Sequence, residues 1–160
     1  MDFSEDEYSG AKELLERDIV AFFASRNPTN EARSLALRWA EEISRTNKVV
    51  ISGFHSSLER EVLDILLKNG SSVIVGLGRS LYRKIPSFLQ QAYDERRLLF
   101  ISFSEKSRHS ESGAQLRNWA IAKLSQTIIF APFEQSSMLS TMHYTFTTYH
   151  TDEKIIKILE

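Results

Sequence analysis

The chain has 160 residues, is 42% hydrophobic, carries a formal net charge of −1, and contains six glycines, three prolines and no cysteine. One hydrophobic core is within its means and two are not, while disulfide scaffolds, thiolate metal sites and low-complexity chains are excluded. No apolar run approaches the roughly 18 residues of a membrane span.

Charge is unevenly spread. The first 18 residues hold seven acidic and two basic side chains, leaving 14 acidic against 18 basic in the rest. Residues 79–123 hold nine basic against four acidic side chains. The N-terminus lacks the basic-then-apolar order of a secretory signal, so a cytoplasmic protein is expected. A net charge near zero does not by itself point to nucleic acid, and the basic stretch gains meaning only from motifs.

In chain order, the acidic segment Glu5–Arg17 reads as a helix, making residues 1–18 an acidic helical extension to one domain over 19–160. Ile19–Ala24 reads as the first strand, followed by a helix over Asn30–Arg45 with Leu35, Leu37, Trp39 and Ile43 on one face. Lys48–Ser52 is the second strand and Ser57–Lys68 the second helix. Ser72–Val75 is the third strand, with helical spacing over Ser87–Glu95. Leu98–Phe103, Thr127–Pro132 and Lys154–Leu159 complete the strands, and Gln115–Leu124 and Ser137–Tyr149 the helices. Short apolar runs alternating with amphipathic helices predict an α/β fold, doubly wound, with a mostly parallel sheet covered by helices on both faces.

Such sheets bind ligands beyond the carboxyl ends of their strands, where helix N-termini present free N–H groups. After the first strand come Ser25 and Arg26, before a helix capped by Thr29 or Asn30. A phosphate contact and ordinary capping account equally well for them. Ser52-Gly53 ends the second strand in a turn where a glycine lets a backbone approach a phosphate, with Ser56 or Ser57 as the next cap; tight-turn chemistry alone explains it as well. Gly76-Leu77-Gly78 follows the third strand, but Leu81 stands where a dinucleotide fingerprint needs its third glycine, so NAD and FAD are not expected. Arg117-Asn118 opens a helix with a bidentate guanidinium and an amide. The four histidines lack metal-ligand spacing, and no nucleophile–base pair or Gly-x-Ser-x-Gly elbow is present. A non-catalytic protein without metal or cofactor is expected. Phe54 and Tyr82 fall near the rim, where either could stack on a base.

Taken together, these strand ends resemble the core of the DNA-processing protein A (DprA/Smf) family, a Rossmann-like group. Ala24-Ser25-Arg26-Asn27-Pro28-Thr29 is similar to its Gly-Ser-Arg followed by Pro-Thr, and Ser52-Gly53 to the start of its Ser-Gly-Leu-Ala-Arg-Gly-Ile-Asp. Asn69–Gly78 resembles its Gly-Gly-x-Thr-Ile-Ala-Val-Leu-Gly-x-Gly. Arg117–Ser125 resembles its Arg-Asn-Arg-Ile-Ile-Ala-Gly-Leu-Ser. Ser136–Thr141 loosely follows its Ser-Gly-Ser-x-x-Thr. Ser56-Ser57 replaces the family's Arg-Gly, and Trp119 its second Arg.

The resemblance implies binding of single-stranded DNA in a positively charged pocket, hand-over to a RecA-type recombinase, and a homodimer. Arg26, Ser52, Gly53, Arg117 and Asn118 would line that pocket, joined by Ser25, Gly76 and Gly78, with Lys84 and Lys123 as supplementary cations. Two alternatives share these residues. One is a nucleotide or nucleotide-messenger binder, or a phosphoribohydrolase-like enzyme of the wider class; the other is a scaffold that has lost its ligand, which the Ser56-Ser57 and Trp119 replacements would suit.

Overall fold

Runs such as Ile19-Val20-Ala21-Phe22-Phe23 put apolar side chains on both faces of a strand, and only a sheet covered on both sides buries them. A computed structural model describes residues 8–103, 111–150 and 153–160 and shows that sheet. Its strands are β1 (Tyr8–Gly10), β2 (Ile19–Phe23), β3 (Val49–Ser52), β4 (Val73–Leu77), β5 (Leu98–Ser102), β6 (Thr127–Phe130) and β7 (Ile155–Ile158). They are ordered β1-β5-β4-β3-β2-β6-β7, all parallel except β1, which pairs antiparallel with β5.

The helices are α1 (Asn30–Ile43), α2 (Ser57–Lys68), α3 (Gln90–Asp94), α4 (Glu111–Leu124) and α5 (Met138–Tyr149). Val20 and Phe22 of β2 face the core beneath α1, α2 and α3, while Ile19, Ala21 and Phe23 face the core beneath α4 and α5. Caps set the helix starts. Thr29 Oγ1 accepts from Ala32 N at 3.0 Å, and Ser137 Oγ accepts from Leu139 N at 3.0 Å. The expected α/β doubly wound architecture is therefore present, with the six expected strands (β2 to β7) within a few residues of their expected bounds.

The N-terminal segment differs from the expected helix. Tyr8–Gly10 is a strand on the edge of β5, and Lys12–Glu16 is a 3-10 turn. Gly10 explains the change: it sits at φ +112°, and a Cβ there would lie 2.4 Å from Leu98 O. The next residue then donates from Ala11 N to Leu98 O at 2.9 Å, which turns the chain off the sheet. Arg96 pairs bidentately with Glu13 at 2.6 and 3.1 Å across this edge, but both are exposed and the pair contributes little. Residues 5–7 of the expected helix lie outside the described residues. The segment Ser87–Glu95 also divides, into a 3-10 turn (Ser87–Leu89) and the short α3.

Gly76 lies inside β4 rather than after it. A Cβ there would stand 2.6 and 2.9 Å from the Ile121 side chain of α4 and 3.1 Å from Phe103. The glycine lets α4 settle onto the sheet. Gly76→Val is expected to overpack this contact and destabilise by about 1–3 kcal/mol, read as a lower urea midpoint with an unchanged m value.

The connectivity fixes where a cleft opens. From β2 the chain moves outward through β3, β4 and β5, and α4 then carries it back to β6 on the other side of β2. The carboxyl end of β2 is thus the topological switch point.

Candidate functional site

At that point the first turns of α2, α4 and α5 surround a cleft of about 260 Å3, lined among others by Ser25, Arg26, His55, Glu59, Arg117 and Asn118. Helix N-termini carry partial positive charge, so three of them around one space favour an anion.

Glu59 organises the floor. Its side chain is buried, and its carboxylate accepts from Ala24 N at 3.2 Å, His55 N at 3.0 Å and Ser56 N at 3.2 Å. Ser56 Oγ accepts from Glu59 N at 3.3 Å in return, a capping box that starts α2 and settles the cap on Ser56. The same carboxylate ties the end of β2 to the β3–α2 turn. Ser56-Ser57-Leu58-Glu59 carries the box spacing openly in the sequence, and that was the signal for Glu59, a residue missed as part of the site.

Arg117 stands across from it, 7% exposed. Burial pushes its guanidinium below the ordinary arginine range, and the negative charge of Glu59 opposes that shift. The group stays cationic, since its reference value lies so far above neutrality. Arg117 Nε donates to Asn118 Oδ1 at 3.2 Å, which orients the fork. The guanidinium lies against Gly53, where a Cβ would be 2.6 Å from Arg117 Cζ. Arg26 is exposed on the opposite rim and also borders a smaller cleft with Glu134 and Ser136.

The residues expected to line one pocket therefore divide by location. Ser25, Arg26, Arg117 and Asn118 face the main cleft. Ser52 is fully buried, and its hydroxyl accepts from Phe54 N at 3.1 Å, so it shapes the turn instead of meeting a ligand. Phe54 completes that turn at φ +49°, a costly conformation for a bulky side chain, with its ring buried in the core. Gly53 is a seat for Arg117, and Gly78 a seat for α4, since a Cβ on Gly78 would meet the Gly113 backbone at 2.7 Å. Gly53, Gly76 and Gly78 border a second groove on the far side of Arg117. Lys84 is exposed on the loop after β4, away from the lining of either space. Lys123 stands apart from the main cleft: it occupies the last turn of α4, which runs away from the rim, so six residues beyond Arg117 is about 9 Å along the helix axis. Beside it, Lys154 Nζ donates to Lys123 O at 3.1 Å and Ser125 O at 2.6 Å, closing the C-terminal end of α4.

An open parallel sheet with helices on both faces and a polar cleft at its switch point makes this a Rossmann-like α/β protein. The sequence model of one family, DNA recombination-mediator protein A, matches residues 7–150. The chain belongs to that family. Solved structures agree on the fold. DNA processing protein A from Helicobacter pylori, whose unique single-stranded DNA binding mode has been described, is 19% identical with a TM-score of 0.72 over 94% of this chain and 69% of its own. Its counterpart from Streptococcus pneumoniae is 21% identical with a TM-score of 0.70, over 94% of this chain and 53% of its own. The molybdenum-cofactor (Moco) carrier protein of Chlamydomonas reinhardtii is 9% identical at a TM-score of 0.55, covering 89% of this chain and 75% of its own. No curated protein sequence matches the chain. Among the described residues no helix is long and apolar enough to cross a membrane.

Proposed function

We propose that the chain binds single-stranded DNA without catalysing a reaction on it, through phosphate contacts at Arg26 and Arg117. The observation that carries this reading is the state of Arg117. A guanidinium taken out of water costs free energy, yet here it is seated on a glycine, oriented by Asn118 and opposed by a single carboxylate that backbone N–H groups already occupy. An arriving phosphate oxygen gains a fork of pre-positioned donors. Membership of the family and the DNA binding described for the Helicobacter relative support the same choice of ligand. Hand-over to a RecA-type recombinase, a homodimer and a cytoplasmic location belong to the same proposal.

The test is fluorescence anisotropy of a labelled oligothymidylate across a salt series, with AMP and GMP as competitors. Two phosphates neutralised on a single strand give a log–log salt slope of about −1.4. No binding at low salt, or displacement by low concentrations of a mononucleotide, would overturn the reading in favour of a nucleotide binder or a scaffold.

A further inference from the structure

Beyond Arg117 the surface continues into a second groove of about 190 Å3, bordered by Arg60 of α2, by Arg79 and Tyr82 on the loop after β4, and by Phe88 of the following 3-10 turn. Its chemistry differs from that of the main cleft. Among the described residues three arginines line it and no carboxylate does. Two of them lie over aromatic rings: Arg60 Cζ is 3.9 Å from the Phe88 ring centroid, and Arg79 Cζ is 4.6 Å from that of Tyr82. Elsewhere Arg33, Arg96 and Arg97 are matched by glutamates, but among the described residues neither Arg60 nor Arg79 has such a partner.

Tyr82 is a fixed platform, because its ring packs edge-on against buried Phe100 at 5.5 Å. Phe88 is 45% exposed and has no polar atom of its own to hydrate. An aromatic face under a guanidinium that has no carboxylate partner among the described residues is a surface that a nucleobase can occupy, since every base has a π-face and the displaced cation remains within reach of the strand's phosphates.

From this we propose that a single DNA strand runs across Arg117 from the main cleft into this groove, where one base stacks on the exposed ring of Phe88, beside Tyr82, and Arg60 and Arg79 turn to its phosphates. The inference rests on the single-stranded DNA reading above and adds a contact with bases to one with phosphates. It distinguishes a strand from a mononucleotide, whose one phosphate fills the main cleft and leaves the groove unused.

The experiment measures oligothymidylate affinity and its salt dependence for the full chain and for Phe88→Ala, Phe88→Leu and Arg60→Ala, each checked for an unchanged thermal transition. Phe88→Ala and Phe88→Leu are expected to weaken binding about tenfold with an unchanged salt slope, and Arg60→Ala to lower the slope by about 0.7. Leucine keeps an apolar side chain at this position and removes the stacking face, so a merely structural role for Phe88 would leave Phe88→Leu unimpaired. An oligomer with abasic residues in place of its bases should bind the full chain and Phe88→Ala equally. If both Phe88 variants bind like the full chain while Arg117→Met loses affinity, the groove proposal falls and the phosphate reading stands. If the full chain binds no oligothymidylate, both fall.

Discussion

Arg117→Met is expected to bind single-stranded DNA about 10- to 100-fold more weakly than the full chain, with the salt slope reduced by about 0.7. Hydrogen bonds to charged groups contribute about 1.5–3 kcal/mol each, and one phosphate contact carries one counterion's worth of salt dependence. Methionine keeps an unbranched stem against Gly53 while removing all five N–H donors, so the fold has little to lose. Burial already pushes the arginine below its ordinary pKa, which means that its charge is held at a cost the substitution relieves. Binding should therefore fall while the thermal midpoint stays within a few degrees. Arg117→Lys retains the charge without the planar fork and should lie between the two. Gly53→Ala supplies a sharper comparison, because the arginine remains but a Cβ would stand 2.6 Å from its Cζ. Most of the binding loss should reappear in that variant. Undiminished affinity with an unchanged slope in Arg117→Met would remove this residue from the interface and leave Arg26 to carry the proposal alone.

The sheet was legible in the sequence because each internal strand is buried on both faces, so its signal is an apolar run visible without knowing its neighbours. β1 carries no such signal. Tyr8-Ser9-Gly10 forms a strand only because the edge of β5 is open beside it and Gly10 can turn back against Leu98. The cleft was legible for a topological reason: strand ends of a doubly wound sheet converge, so Ser25 and Arg26 could be placed with Arg117 and Asn118 although some 90 residues separate them. What each glycine does was not legible. A glycine after a strand looks the same whether it admits a phosphate, an arginine or a helix, and Gly53, Gly76 and Gly78 admit Arg117, Ile121 and Gly113. Those partners lie more than 30 residues away and no local pattern announces them. The position of Lys123 was hidden for the opposite reason: proximity to Arg117 in sequence masks the fact that an antiparallel helix carries each successive turn farther from the rim.

Glu59 is the residue whose loss should cost the fold most, and the expected effect of Glu59→Ala is a destabilisation of about 2–4 kcal/mol. The substitution strips an acceptor from three backbone N–H groups at once, those of Ala24, His55 and Ser56. A buried donor left without a partner costs about 1–3 kcal/mol, and water entering from the cleft restores part of that. Ser56→Ala sets the scale, since it removes only the helix cap and should cost about 1 kcal/mol. If Glu59→Ala cost no more than Ser56→Ala, the carboxylate would be an ordinary cap and not the tie between β2 and the β3–α2 turn. Glu59→Gln separates position from charge. Its carbonyl oxygen can keep part of the acceptor role, while the amide end faces a donor with another donor, so a loss smaller than that of Glu59→Ala is expected. The negative charge beside Arg117 disappears at the same time. An anionic strand then meets less repulsion, and Glu59→Gln should bind oligothymidylate a few-fold more tightly at low salt, with the gain fading as salt screens the interaction. Weaker binding by a folded Glu59→Gln would mean that the carboxylate serves the interface chiefly by holding Ala24 and Ser56 where the strand needs them, and that its charge is already neutralised by the N–H groups around it.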